Sequence, residues 1–174
     1  KQLEDRSFMT FTDSKSKING LGFLNDGRLI TGSLEGTLRI RKPGTWTSPS
    51  IPNPTTSLVR LSFAAREPRF QIHDKTTKQI RIFDADTLEP LRSISVNMDQ
   101  IYQSRLSALT GDGKRLLYAL EDGLRLVSID DEGAVPVQLS KETFRIAELD
   151  SNATTVCGLS VAENSVRLLQ DPTG

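Results

Sequence analysis

The stretch "GTLRI", residues 36–40, contains an arginine between two aliphatic residues, and this pattern returns three more times along the chain. The other copies are "QIRI" at residues 79–82, "GLRL" at residues 123–126 and "SVRL" at residues 165–168. The central arginines are Arg39, Arg81, Arg125 and Arg167. Their spacings are 42, 44 and 42 residues. A period of about 40–45 residues is typical of four-stranded propeller blades or of helical arrays.

The local pattern favours strands over helices. Helical repeats place apolar residues three and four apart, whereas the segments around each arginine are short and rich in β-branched residues or leucine. In the first period, "INGLGF", "RLITGS", "TLRIR" and "TWT" are separated by the glycine turns "NDG", "LEG" and "KPG". The second and third periods divide in the same way, and the fourth supplies three strands before "DPTG". We therefore predict an all-β chain of about fifteen strands with at most one helical turn.

Two longer stretches resemble repeats of the WD40 family. "TGSLEGTLRIR", residues 31–41, is similar to the part of a WD40 repeat that runs from the second strand into the third. "IRIFDADTLEPLRSI", residues 80–94, is similar to the third strand, the turn and the fourth strand, with Phe83 and Asp84 at the family's Trp-Asp pair. The sequence has no Trp-Asp or Gly-His dipeptide, so its repeats are divergent. The resemblance implies a β-propeller of about four four-stranded antiparallel blades.

The predicted propeller segment covers residues 1–174. Its blades are expected at roughly 18–47, 57–96, 104–140 and 143–170, and residues 6–12 are a candidate outer strand for the last blade. Three arrangements remain open: a ring of four blades closed by that strand, a portion of a larger ring, and an open propeller completed by a blade-donating chain. The larger ring is favoured, because WD40 rings commonly have seven or eight blades and the chain starts at Lys1 without an initiator methionine.

The recurrent arginine has a structural explanation in a propeller. Successive residues of a strand point to opposite faces, so Leu38 and Ile40 are expected to fill one layer between blades while Arg39 projects on the other side. Its aliphatic stem packs there and its guanidinium reaches an edge or a carboxylate. The alternative is a ring of four arginines that binds phosphate.

Composition excludes several function classes. Lys+Arg and Asp+Glu are both 22, which gives no support for bulk attraction to nucleic acid or to an anionic membrane. No apolar run approaches the ~20 residues of a membrane helix, so no membrane partner is expected. The single cysteine, Cys157, rules out an intrachain disulfide and favours an intracellular location, nuclear or cytoplasmic; it is expected to be a small core residue.

Residues suited to catalysis or to cofactor binding are scarce. The only histidine, His73, follows a second strand and is expected to cap it or to lie in solvent. A zinc site of cysteines and histidines cannot be built from one of each, and the acidic turns are expected to be turns alone. We expect no enzyme activity, no metal and no cofactor. Trp46 is expected to cover the blade edge from the outermost strand of the first blade.

Function in such a propeller is expected at one rim, on the turns between second and third strands and the connections between blades. Met98 and Tyr102 are the predicted apolar anchors of this rim, as suits protein or peptide recognition. The other candidates are polar: Glu35, Lys75, Lys78, Gln103, Glu121, Asp122 and Glu163. The preferred function is a non-catalytic scaffold for protein–protein interactions within a larger intracellular assembly, with proteins, peptides or further propeller blades as partners. The alternatives are an RNA-associated propeller of a ribonucleoprotein complex, which requires a basic rim, and an enzyme with a site in the central channel.

Overall fold

The fold is described by a computed structural model. It covers residues 10–12, 14–46, 50–51, 58–64, 66–74, 76–96, 107–149, 155–160, 162–163 and 165–170. These residues form fifteen β-strands, which confirms the all-β prediction. Among them there is no helix that is long and apolar enough to cross a membrane.

The strands form four antiparallel sheets, which correspond to the four predicted blades and are called blades 1 to 4. Blade 1 contains β1 (Ile18–Phe23), β2 (Leu29–Ser33), β3 (Leu38–Arg41) and β4 (Ser50–Ile51). Blade 2 contains β5 (Leu58–Phe63), β6 (Arg69–Asp74), β7 (Gln79–Asp84) and β8 (Pro90–Ser95). Blade 3 contains β9 (Ser107–Leu109), β10 (Arg115–Leu120), β11 (Gly123–Ser128) and β12 (Val137–Ser140). Blade 4 contains the described strands β13 (Phe144–Leu149), β14 (Thr155–Ser160) and β15 (Val166–Gln170).

The blades stack face to face, and their first strands lie next to one another. Strand β1 runs beside β5, and β5 contacts β9. Three apolar layers fill the spaces between neighbouring blades. The layers contain Ile30, Leu38, Phe70 and Ile72 between blades 1 and 2; Ile80, Ile82, Leu116 and Tyr118 between blades 2 and 3; and Leu117, Leu126, Phe144 and Val156 between blades 3 and 4. The core is therefore divided into layers, each shared by two blades.

The four recurrent arginines occupy the third strands β3, β7, β11 and β15, as predicted. Arg81 lies opposite Ile72, which packs against blade 1, and Arg125 lies opposite Tyr118, which packs against blade 2. Each of these arginines therefore faces the preceding blade, while its aliphatic neighbours face the following one. This alternation explains the repeated triplet.

Trp46 and Cys157 depart from the predictions. Trp46 does not lie in the outer strand, because a turn at Pro43 and Gly44 ends β3 and the Trp46 N–H bonds to the Lys42 carbonyl at 2.9 Å. The outer strand follows as β4. Cys157 is exposed rather than part of the core, because it lies opposite Leu168 on a face of blade 4 that no described blade covers.

The predicted closing strand is only partly described. Residues 6–9 lie outside the described residues, so pairing of the segment with blade 4 stays a prediction. The ring of Phe11 lies against blade 1, with its centroid 4.4 Å from the Arg41 guanidinium carbon and 6.3 Å from the Trp46 ring. The described end of this segment thus contacts the first blade.

Candidate functional site

The turns between second and third strands form one end of the four-blade array, which we call the upper rim. Five predicted site residues occupy these turns and are exposed: Glu35, Lys78, Glu121, Asp122 and Glu163. The structure therefore brings these five residues to one surface. The predicted anchors Met98 and Tyr102, together with Lys75 and Gln103, lie outside the described residues, and their place on the rim stays a prediction.

Backbone conformation sets the direction of the rim side chains. Lys78 has a φ of 56°, a left-handed conformation that is uncommon for a lysine, and its carbonyl accepts a hydrogen bond from Val96 at 3.0 Å. At Gly123, with a φ of 129°, a Cβ atom would lie 1.9 Å from the Ser140 carbonyl oxygen. Glycine is therefore required there for the tight turn that presents Glu121 and Asp122.

The recurrent arginines also order acidic side chains on the upper rim. Arg125 pairs with Asp122 at 2.5 Å, and Arg167 pairs with Glu163 at the same distance. The hydrogen bond from Arg125 holds the pKa of Asp122 below its ordinary value, and the carboxylate in turn raises the pKa of Arg125. Two of the four described rim acids are thus held in place by third-strand arginines.

A second arginine series, which the sequence reading missed, lies at the opposite end of the blades, called the lower rim. Arg28, just before β2, donates to the Ala85 carbonyl at 2.9 Å and pairs with Asp86 of blade 2. Arg69, at the start of β6, donates to the Gly113 carbonyl at 2.9 Å and pairs with Asp130 of blade 3 at 2.7 Å. The sequence does contain a signal for this series, because each arginine follows a glycine or proline of a turn and precedes an apolar second strand.

The two lower-rim pairs are equivalent. The strand registers place Asp86 two residues beyond β7 and Asp130 two residues beyond β11. Arg92 of β8 adds to the second junction, donating to the carbonyl groups of Ser128 and of the β11–β12 connection. Each arginine therefore fixes its own blade to the next one.

A small cleft of about 230 Å³ opens on the lower rim between blades 1 and 2. Its lining includes Leu24, Arg28, Arg66, Pro68 and Asp86. Arg28 and Asp86 in its wall form the ion pair that joins blades 1 and 2. The cleft is therefore a feature of the contact between these two blades.

A buried polar cluster lies between blades 2 and 3. His73 Nε2 is 2.5 Å from the Ser107 hydroxyl oxygen, and the Gln71 side-chain amide donates to the same oxygen at 2.7 Å. The prediction that His73 caps the strand or lies in solvent is therefore wrong: His73 lies within β6 and is buried, because blade 3 covers it and supplies its partner. Within the described residues, the Gln71 Oε1 atom has no hydrogen-bond partner.

A serine beside a histidine is the arrangement used to activate a nucleophile. Here His73 and Ser107 are each only 3% exposed, so within the described residues the hydroxyl group is enclosed between blades 2 and 3. The pair therefore acts as a tie between blades. In the part of the chain that the structure describes, no three acidic, histidine or cysteine side chains are placed to hold a metal ion.

Comparison with known proteins identifies the architecture. No family model and no curated protein matches the sequence. The structure is similar to the crystal structure of the Cps50 (Swd1) β-propeller domain from Myceliophteria thermophila, with a TM-score of 0.66 and 14% sequence identity. The chain folds as β-propeller blades. The match covers 90% of this chain and 54% of that one, so the chain spans about half the length of the propeller it resembles.

Proposed function

We propose that this propeller segment is a non-catalytic scaffold that binds protein or peptide partners through its upper rim, within a larger intracellular assembly. The observation that carries the proposal is the placement of Glu35, Lys78, Glu121, Asp122 and Glu163. All are exposed on turns at one end of four consecutive blades, whereas both faces of the two middle blades are used for packing. Turns on a rigid scaffold are the usual place for recognition residues.

The charge of the rim supports protein partners over RNA. Four of the five described candidate residues on the rim are acidic, and Asp122 and Glu163 are held by arginines of their own blades. Carboxylates held in a fixed position can accept further hydrogen bonds from the polar side chains of a partner protein. The RNA-associated alternative requires a basic rim, whereas the described upper rim carries both signs, with exposed Lys17, Lys78 and Lys141 beside the acidic residues.

The other features also favour a scaffold. The Ser107–His73 pair is enclosed between blades, which removes the one described arrangement suited to nucleophilic chemistry. The exposed thiol of Cys157 suits a reducing compartment, where such a group stays free. These points support an intracellular binding module.

Affinity capture with a rim variant tests the proposal. The variant combines Glu35→Lys, Glu121→Lys and Lys78→Glu, and its matched control combines Glu89→Lys and Glu132→Lys, which are exposed positions on the lower rim. We expect proteins captured by the unaltered chain to be lost from the rim variant and retained by the control. Equal capture by both variants, with unchanged thermal unfolding, would show that the upper rim is not the binding surface.

A further inference from the structure

The hydrogen bonds of the buried cluster between blades 2 and 3 have a direction. The Gln71 side-chain amide donates to the Ser107 hydroxyl oxygen at 2.7 Å and to the Ser62 hydroxyl oxygen at 2.5 Å. A hydroxyl group has one hydrogen to donate besides the lone pairs with which it accepts. The hydrogen of Ser107 is therefore available to the His73 Nε2 atom, which lies 2.5 Å from the same oxygen. The bonds thus run from Gln71 through Ser107 to His73, which accepts the last one.

This direction requires an uncharged imidazole ring. A ring nitrogen that accepts a hydrogen bond carries no proton, so the proton of neutral His73 resides on Nδ1. A protonated histidine donates from both of its ring nitrogens. The bond between His73 and Ser107 must therefore reverse when the ring takes up a proton.

Reversal of this bond disrupts the rest of the cluster. When His73 Nε2–H donates to Ser107, the hydroxyl hydrogen of Ser107 loses its acceptor. If the Gln71 side chain turns over so that its Oε1 atom accepts this hydrogen, the two amide hydrogens lose their bonds to Ser62 and Ser107. Either arrangement deprives a donor of the acceptor that it has around neutral His73. Because Gln71, His73 and Ser107 are at most 3% exposed, both this loss and the added positive charge are costly.

We propose that His73 is a proton switch, in which uptake of a proton reverses the hydrogen bonds of this cluster and weakens the contact between blades 2 and 3 in mild acid. Histidine is the side chain that ordinarily titrates between about pH 5 and about pH 8. His73 is the only histidine of the sequence. The inference goes beyond the rim proposal, since it concerns a buried contact and does not depend on what the upper rim binds.

Blade 3 presents three ionisable groups near the cluster. Tyr118 lies opposite Ser107 on β10, and Arg125 lies opposite Tyr118 on β11. Burial raises the pKa of Tyr118, so its phenol stays uncharged at neutral and mildly acidic pH. Arg125 pairs with Asp122 at 2.5 Å, and the pKa of Asp122 lies below its ordinary value, so this ion pair keeps both charges. The change of charge in this pH range therefore belongs to His73 and not to these groups.

The neighbours of His73 in its own sheet are a cationic residue and an aliphatic one. Arg60 is the residue opposite His73 on β5, and Ile80 is the residue opposite it on β7. Asp74 follows His73 in β6 but points to the other side of the sheet, because successive residues of a strand alternate. Its carboxylate accepts hydrogen bonds from the N–H groups of the following turn, at 3.0 and 3.3 Å. The carboxylate nearest to His73 in sequence is therefore engaged on the opposite face.

The cluster lies just beneath the upper rim. Asp74 and Gln79 form the last pair of the β6–β7 ladder, and the turn that carries exposed Lys78 follows it. His73 is one residue below this end of the ladder, and Ser107 is the first residue of β9. A weaker contact at the cluster therefore frees the upper-rim turns of blades 2 and 3 to move relative to each other.

Nitrogen-15 NMR of the labelled chain tests the direction of the bond. A single histidine gives a single pair of ring-nitrogen signals, so the assignment to His73 is unambiguous. At about pH 7.5 we expect the proton on Nδ1 and an unprotonated Nε2 atom. A proton on Nε2 in the neutral ring would overturn the proposal, because the bonds would then already run the other way.

Amide hydrogen exchange measures the contact itself. Between about pH 7.5 and about pH 5.5, after correction for intrinsic exchange rates, we expect amides of β9 and β10 to open about tenfold more often. The increase should follow the NMR titration of His73, and amides of β2, which packs between blades 1 and 2, should not share it. Ordinary carboxylates stay ionised over this range. Opening that does not change with pH, or that increases equally in β2, would overturn the proposal.

A substitution at His73 separates the switch from other effects of acid. His73→Gln keeps a side chain that can accept from Ser107 but that takes up no proton, so the pH dependence of opening in β9 and β10 should disappear. Ser93→Ala, at an exposed position of β8, is the matched control and should keep it. Persistence of the pH dependence in His73→Gln would overturn the proposal. If this variant does not fold, the unaltered chain decides, because protonation of His73 without faster opening of β9 and β10 would also overturn it.

Discussion

The Nε2 atom of His73 lies 2.5 Å from the Oγ atom of Ser107, so one hydrogen bond joins the second strand of blade 2 to the first strand of blade 3. Gln71 donates to the same oxygen and to the Ser62 hydroxyl group. This polar cluster adjoins the apolar layer built around Ile80 and Ile82. The two blades are therefore held by directional bonds as well as by apolar contact.

Replacing Ser107 by alanine tests the importance of this tie. We expect Ser107→Ala to lower the free energy of unfolding by about 1–3 kcal/mol, because it removes the hydroxyl group that bonds to buried His73 and Gln71. Chemical denaturation measures the change. Ser93→Ala, on an exposed position of β8, is the control and should change stability by less than about 0.5 kcal/mol. Equal effects of the two substitutions would argue against a structural role for the cluster.

The lower-rim ion pairs are suited to a double-mutant cycle. Arg69→Met, Asp130→Asn and the double variant should give a coupling energy of about 0.2–1 kcal/mol, the range of pairs that remain partly exposed. Arg69→Met alone should cost more than Asp130→Asn, because Arg69 also donates to the Gly113 carbonyl. Added salt should weaken the coupling. Purely additive effects would mean that the ion pair does not tie the blades.

Acid should destabilise the fold through carboxylates that accept backbone hydrogen bonds. Burial opposes ionisation of Asp84, but the N–H groups of Thr87 and Asp86, each 2.8 Å away, outweigh it and hold the pKa of Asp84 below its ordinary value. The pKa of Asp112 is lowered in the same way. Burial opposes ionisation of this carboxyl group, but hydrogen bonds from the Thr110 hydroxyl group and the Lys114 N–H outweigh it.

A lowered folded-state pKa stabilises the protein above the unfolded value of about 3.9, and that stabilisation is lost as the pH falls through the folded value. Melting temperatures should therefore fall between about pH 5 and about pH 2. Asp84→Asn should flatten this decline, whereas Glu132→Gln, at an exposed position, should leave it unchanged. An identical pH profile for Asp84→Asn and the unaltered chain would contradict the assignment.

Glycines in β1, the first strand of blade 1, allow this blade to pack closely against blade 2. A Cβ atom at Gly22 would lie 2.2 Å from the ring of Phe63 in the next blade. We expect Gly22→Ala to cost about 1–3 kcal/mol by overpacking. Gly133→Ala is the control, because its nearest neighbour would be the Asp131 carboxylate at 3.4 Å. A tolerated Gly22→Ala would mean that blades 1 and 2 can move apart.

The recurrent arginine shows how much could be predicted from sequence. Its period, with the glycine turns between short apolar runs, was sufficient to predict the strands and the third-strand position of Arg39, Arg81, Arg125 and Arg167. The candidate rim was partly predictable for the same reason, because acidic turn residues such as Glu35 and Asp122 lie between strands that are recognisable locally.

Contacts between blades were decided only by the tertiary structure. Alternation along "RFQIH" shows which residues share a face with His73, but it does not show that Ser107, 34 residues further on, covers that face. The lower-rim ion pairs could not be predicted for the same reason, because Arg28 and Asp86 are 58 residues apart in the sequence.

The burial of residues in the first and last blades also depends on tertiary contacts rather than on local sequence. Leu38 and Val166 have the same local sequence pattern, and so do Leu61 and Leu21, yet within each pair only one residue is buried. The amino-acid sequence by itself determined which residues point to an inter-blade face, because the direction of a side chain follows from strand periodicity. Whether another blade covers that face was decided only by the tertiary structure, because burial of an apolar residue depends on surfaces brought together from distant parts of the chain.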